Sequence, residues 1–165
     1  MDHLEIERKF VLRKCDLPKD LKKYKHATIE QAFISIFPCI RIRRLGDKYY
    51  LTIKSTIDKN DLVRNEYEIE ISKKDYIALS KKCSGRVIKK ERYFIPYKGH
   101  TFELNIYAKE FKGFIDVEVE FDSVKKAKEF VPPSWFYREV TGIKAYNNTG
   151  LSICKKPEDI VKLLV

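Results

Sequence analysis

The feature that most restricts this chain is a period-two alternation of charged and apolar residues that returns in segment after segment. It opens at Leu4-Glu5-Ile6-Glu7-Arg8-Lys9-Phe10. Successive side chains of a strand point to opposite faces of a sheet. Glu5, Glu7 and Lys9 therefore share one face, and Leu4, Ile6 and Phe10 the other, with Arg8 a polar intruder among them. A single strand of this kind fits any half-buried surface sheet. Recurrence changes the reading. Arg41 and Arg43 oppose Ile40 and Ile42, and Lys54 opposes Leu51 and Ile53. Glu66, Glu68 and Glu70 oppose Tyr67, Ile69 and Ile71, while Lys90 and Arg92 oppose Tyr93 and Ile95. Glu103 and Asn105 face away from Phe102, Leu104 and Ile106. Asp116, Glu118 and Glu120 face away from Ile115, Val117, Val119 and Phe121.

These patterns predict strands over 4–10, 29–36, 40–43, 49–54, 64–71, 87–97, 101–107 and 115–121. Gly46-Asp47-Lys48 and Lys98-Gly99-His100 have the composition of tight hairpin turns. The lysine-rich stretch 14–25 reads as a loop or short helix, and 56–62 as a polar connection. Ser72 is placed to cap a helix that runs to about Cys83 and is closed by Gly85. Ser123 caps a second helix, which Pro132-Pro133 must end because proline lacks the N–H and clashes with the preceding turn. Trp135 and Phe136 then serve as packing anchors. A further strand is expected near 151–154, and Pro157-Glu158-Asp159 opens a C-terminal helix.

Six or more antiparallel strands with helices inserted imply a sheet that curls or closes, since long exposed edges invite aggregation. The apolar stripes of the helices need an apolar sheet surface to cover. The apolar parity is therefore expected outside, beneath the helices, and the charged parity inside. An open sheet with a solvated, salt-bridged face is the competing reading. The chain reads as one α+β domain over 1–165. Charged residues make up 35% of it, against a usual share of about 25%, so their placement needs a reason. An interior holding Lys9, Arg41, Arg43, Lys54, Lys90 and Arg92 beside Glu5, Glu7, Glu66, Glu68, Glu103, Glu118 and Glu120 cannot be dry and unpaired. Arginine and lysine suit phosphoryl oxygens, and clustered carboxylates suit Mg²⁺ or Mn²⁺. A polyphosphate carrying a divalent cation satisfies both sets.

The net charge of +10 also points to an anionic partner. No apolar run approaches the roughly 18 residues of a membrane span, and charge begins at Asp2, so a cytoplasmic location without a membrane partner is expected. Cys15, Cys39, Cys83 and Cys154 are dispersed, without metal-site spacing, and read as free thiols. His3, His26 and His100 have no visible partners in the sequence.

In order and spacing, several of these segments resemble the CYTH family, also called the triphosphate tunnel metalloenzymes. Glu5-Ile6-Glu7-Arg8-Lys9 matches the family's N-terminal E-x-E-x-K signature. Arg41-x-Arg43, Thr52-Ile53-Lys54-Ser55, Glu66-Tyr67-Glu68, Lys90-x-Arg92, Phe102-Glu103-Leu104 and Val117-Glu118-Val119-Glu120-Phe121 follow as further motifs. Pro132-Pro133-Ser134-Trp135-Phe136 and Lys144-x-Tyr146-x-Asn148 are similar to the compact bacterial members. The resemblance implies a closed antiparallel eight-stranded β-barrel, a tunnel with a charged interior and helices packed outside. Carried over by motif, Lys9, Arg41, Arg43, Lys54, Lys90, Arg92 and Lys144 bind a triphosphate. Glu5, Glu7, Glu66, Glu68, Glu118 and Glu120 hold Mg²⁺ or Mn²⁺ or the attacking water, and Lys9, Glu118 and Glu120 form the catalytic set. Asn105 departs from the pattern, because the family often has Asp there. Glu70 and Asp116 share the inward parity but lie nearer strand ends, where exposure is expected.

The implied function is metal-dependent hydrolysis of inorganic triphosphate or a nucleoside triphosphate. The family scaffold also supports adenylate cyclisation and thiamine triphosphate hydrolysis, and a non-catalytic binder of polyphosphate or RNA would use the same basic face. RNA-binding sheets present aromatic platforms. Here only Phe33, Tyr50 and Tyr107 interrupt the inward charge, which argues against nucleic acid. Three short helices leave outer apolar surface over, which keeps a homodimer open.

Overall fold

A computed structural model describes residues 3–56 and 62–162 of the chain. The strands are β1 (His3–Val11), β2 (Lys25–Ser35), β3 (Cys39–Leu45), β4 (Lys48–Thr56), β5 (Val63–Ile71), β6 (Ser84–Tyr97), β7 (His100–Tyr107), β8 (Ile115–Glu120) and the short β9 (Arg138–Glu139). They follow the order β5-β4-β3-β2-β6-β7-β8-β1-β9, and β1 also pairs with β5. That last pairing closes β1 to β8 into an antiparallel eight-stranded barrel. The strand pattern holds, with β2 starting earlier, at Lys25. The connection expected over 56–62 lies, for residues 57–61, outside the described residues.

Local chemistry accounts for the turns and caps. Lys98 and Gly99 both take positive φ, 46° and 80°, the hand a two-residue hairpin turn needs. Helix α1 (Lys73–Ser80) begins where the Ser72 side chain accepts from the Asp75 N–H. Helix α2 (Val124–Glu129) begins where Ser123 accepts from Lys126. Two C-terminal helices follow, α3 (Asn148–Ile153), capped by Asn147, and α4 (Pro157–Lys162).

Two expectations are corrected. The strand expected near 151–154 is instead the end of α3. A short apolar run carries no period that separates strand from helix, and the Asn147 cap decides it. Gly85 does not close α1, which ends at Ser80; it lies inside β6 with φ of 76°. A Cβ there would sit 2.7 Å from the Ser152 carbonyl oxygen. Gly85 is therefore the point at which α3 presses against the barrel. Gly150 instead lets α3 fold back on the turn before it, since a Cβ there would meet the Lys144 carbonyl oxygen at 1.9 Å.

The apolar parity faces out, as the helices required. Ile6, Phe10, Phe102, Leu104, Val117 and Val119 are buried beneath α2 and the following segment, with Phe136 packed against Phe10 and Phe102. Burying one such side chain contributes roughly 1.5–3 kcal/mol. On the opposite wall Ile42 is buried, but Ile53 and Ile69 remain 40% and 39% exposed. Arg8, the polar intruder, lies under α2. It donates to the Ala127 and Phe130 carbonyls at 2.9 and 2.8 Å and forms a two-point pair with Glu139. The last carbonyls of α2 lack helical partners, and a cation there also complements the helix dipole.

At one end of the barrel the inward parity itself turns apolar. Val11, Phe33, Ile88 and Tyr107 pack with Phe111, Phe114, Val140, Tyr146 and Leu151. The segment carrying α3 thus plugs that end, and the charged cavity lies above the plug.

Candidate active site

The cavity encloses about 270 Å³. β1 supplies Glu5, Glu7 and Lys9; β3 supplies Arg41 and Arg43; and β4 supplies Lys54. β5 contributes Arg64, Glu66 and Glu68, β6 Arg92, β7 Glu103, and β8 Glu118 and Glu120. They converge because inward residues of one strand are two apart and because the register aligns neighbours: Lys9 faces Glu118, Lys54 faces Glu66, and Glu103 faces Glu118.

Three carboxylates crowd one side. Ligand oxygens of Glu5, Glu7 and Glu120 all lie within 4.8 Å of one another. Burial and the charges of Glu118 and Glu5 push Glu7 up to about 8. Burial and the charges of Glu103, Glu5 and Glu66 raise Glu120 to about 7. For Glu5 burial opposes ionisation, but Lys54 and Arg64 overcome it and bring the group down to about 2. Lys54 Nζ reaches both Glu5 oxygens at 2.8 Å. Clustered carboxylate oxygens that repel one another fit a hard divalent cation, which would remove the repulsion.

The opposite side crowds cations. Arg43 Nη2 donates to both oxygens of Glu68, at 3.0 and 2.9 Å, and Arg41 Nη2 reaches Thr52 Oγ1 at 3.1 Å and Glu68 at 3.4 Å. Burial and the neighbouring Arg41 and Arg92 charges still bring Arg43 down to about 10. Arg41 Nε, Arg43 Nε and Gln31 Nε2 are buried N–H groups without an acceptor among the described residues. A buried unsatisfied donor costs about 1–3 kcal/mol, and an anion in the cavity would neutralise the crowded Arg41 and Arg43 charges.

The floor is paired throughout its centre. Lys9 Nζ lies 2.9 Å from Glu118 and 3.1 Å from Asp116. Burial works against the Lys9 charge, but these two carboxylates outweigh it and hold its pKa above the ordinary lysine value. Arg92 pairs with Glu103 and Glu118, and its Nε donates to Asn105 Oδ1 at 2.8 Å. For Glu118 burial opposes ionisation, yet Lys9, Lys90 and Arg92 keep it well below the usual carboxylate range. Lys90 is the exception. Among the described residues its Nζ has no hydrogen-bond partner and stands 3.9 Å from Glu118, and burial with Arg92 and Lys9 nearby lowers it to about 7.

Most of the site residues expected from sequence therefore meet in one cavity. Lys90 does not border it but is buried in its wall, and Lys144 is exposed in the turn before α3. The expectation of an exposed Asp116 is overturned. It is fully buried, because the plug covers the strand end. Glu70 is exposed and pairs with Lys48. Sequence reasoning missed Arg64, which shares parity with Glu66. It also missed Thr52, whose hydroxyl donates to Glu68 at 2.7 Å.

This arrangement has close relatives. A family model described as CYTH domain matches residues 3–140. The chain belongs to the CYTH family. It is 39% identical over 116 residues to an inorganic triphosphatase of Nitrosomonas europaea, covering 69% of this chain and 74% of that one. It is 34% identical over 150 residues to an inorganic triphosphatase of Acetivibrio thermocellus, covering 89% and 92%. The crystal structure of the inorganic triphosphatase NE1496 superposes with a TM-score of 0.67 at 32% identity, over 92% of this chain and 96% of that one. Among the described residues no helix is long and apolar enough to cross a membrane.

Proposed function

We propose that this CYTH protein hydrolyses a terminal phosphoryl group of a triphosphate, either inorganic triphosphate or a nucleoside triphosphate. The observation that carries this reading is the opposed crowding within one cavity. Three carboxylates repel on one side, and arginines with unsatisfied N–H groups repel on the other. A polyanion with its divalent cation relieves both at once. The triphosphatase relatives support the same substrate class.

Glu5, Glu7 and Glu120 are the residues to hold Mg²⁺ or Mn²⁺, which when bound neutralises charge on phosphoryl oxygens and orients water. Glu66, Glu68 and Glu118 hold the basic groups in place, each engaged by arginine or lysine; Glu5 is likewise held by Lys54 but also stands within 4.8 Å of the Glu7 and Glu120 oxygens. Arg41, Arg43 and Lys54 grip the triphosphate oxygens, with arginine supplying two-point hydrogen bonds. Lys9 and Arg92, held ionised on the floor, face the reacting end and stabilise charge as it moves to the leaving group. Free cysteines fit a reducing cytoplasmic setting.

Phosphate release should be measured from triphosphate, ATP and thiamine triphosphate with Mg²⁺ and with Mn²⁺, and the nucleotide products separated by chromatography. Metal-dependent release from triphosphate is expected. Cyclic nucleotide as the main product, or no release from any triphosphate, overturns the reading.

A further inference from the structure

Beneath the cavity Asn105 and Asp116 face each other across the β7–β8 register. Both are fully buried. Asn105 Nδ2 donates to Asp116 Oδ1 at 2.6 Å and to Glu118 Oε2 at 3.2 Å, while its Oδ1 accepts from Arg92 Nε. One amide thus uses its donors on two carboxylates and its oxygen on a guanidinium. Asp116 Oδ2 takes Lys9 Nζ at 3.1 Å and the Tyr107 hydroxyl at 2.8 Å. Tyr107 also lies 3.0 Å from Asn148 Oδ1 on α3. The single hydroxyl proton serves one acceptor at a time, so Tyr107 is shared between Asp116 on β8 and Asn148 on α3. The pair therefore ties the plug to both floor cations.

We infer that Asn105 and Asp116 act as one positioning unit that carries a single negative charge, with Asp116 aiming Lys9 and Asn105 aiming Arg92. This rests on the hydrolytic reading above. The electrostatics require the unit to be shared. Aspartate at position 105 alone would place a third carboxylate against Asp116 and Glu118, with no N–H between them. Asparagine at position 116 alone would leave two amides and remove one of the two charges that hold Lys9. With the two side chains exchanged, the amide now on β8 donates to the carboxylate now on β7, along the line that the native pair spans at 2.6 Å. That carboxylate still accepts from Arg92 and the layer keeps its charge, while Lys9 keeps Glu118 and an amide oxygen on β8; the N–H to Glu118 is lost, so recovery is incomplete. Neither side chain borders the cavity, so the substrate grip of Arg41, Arg43 and Lys54 is left in place.

The test is a double-mutant cycle of wild type, N105D, D116N and N105D/D116N. It is read in triphosphate hydrolysis with Mg²⁺, in melting temperature, and in metal-free triphosphate binding by calorimetry. Each single variant is expected to lose about thirtyfold or more in kcat, with KM within about threefold and one binding site per chain. The double variant is expected to recover to within about tenfold of wild-type kcat and to regain melting temperature lost by N105D. A double variant no better than the poorer single overturns the shared unit, as does a D116N variant with wild-type kcat. A wild-type chain that hydrolyses no triphosphate overturns the hydrolytic reading and the positioning role with it. Calorimetric binding of triphosphate still separates that outcome from a cavity that takes no polyanion.

Discussion

On the β1–β8 side of the cavity Glu5, Glu7 and Glu120 set three carboxylates together, whereas on the β3 side Arg41 and Arg43 set two guanidinium groups together. Each wall keeps like charges together, in opposite senses, even though Lys54 pairs with Glu5 and Glu68 with Arg43. Below them, Lys9, Asp116, Glu118, Arg92 and Asn105 satisfy one another. The contrast separates two uses of buried charge. A paired layer fixes geometry, while a layer that keeps like charges together is ready for a ligand that neutralises them.

Glu120→Gln should break this contrast most severely. Its turnover is expected to fall by about 10²–10³-fold, the scale for losing one preorganised group at developing charge. Metal-free triphosphate binding should persist. Steady-state kinetics beside calorimetry checks both halves. Arg43→Ala acts on the other wall. It is expected to weaken metal-free triphosphate binding by roughly 10–100-fold, as befits a charge-assisted hydrogen bond of about 1.5–3 kcal/mol. Cation binding without substrate should change little.

A third prediction sharpens the comparison through pH. Glu7 has a folded value raised from 4.5 to about 8, so between those values the folded chain binds more protons than the unfolded one. Its contribution to stability then falls as pH rises from about 5 to 8. Melting of the metal-free protein should show this decline, Glu7→Gln should flatten it, and Mg²⁺ should oppose it. An unchanged slope in Glu7→Gln would refute the crowding. The smallest effect is expected from Lys144→Ala. Lys144 is exposed and away from the cavity, and kcat/KM should stay within about twofold.

Much of the site was legible because parity is local. Glu5, Glu7 and Lys9 share a face for the same reason that Ile6 and Phe10 share the other, and this follows from the strand pleat alone. The outward apolar face was legible for a related reason, since the helices need something to cover. Asp116 misled because a strand end looks exposed until the segment that covers it is placed. The 151–154 run misled because so short a stretch holds too little periodicity.

The amino-acid sequence by itself determined which side chains stand together along each strand, which helices are capped, and that a charged face must be enclosed or solvated. Only the tertiary structure decided which charges meet. Glu120 joins Glu5 and Glu7 through the β1–β8 register, and Asp116 meets Lys9 because the plug shields that end of the barrel. Parity depends on neighbours two residues apart, whereas register, closure and plugging depend on residues far apart in the chain. Their pairing free energies are summed over the whole fold and written in no single segment.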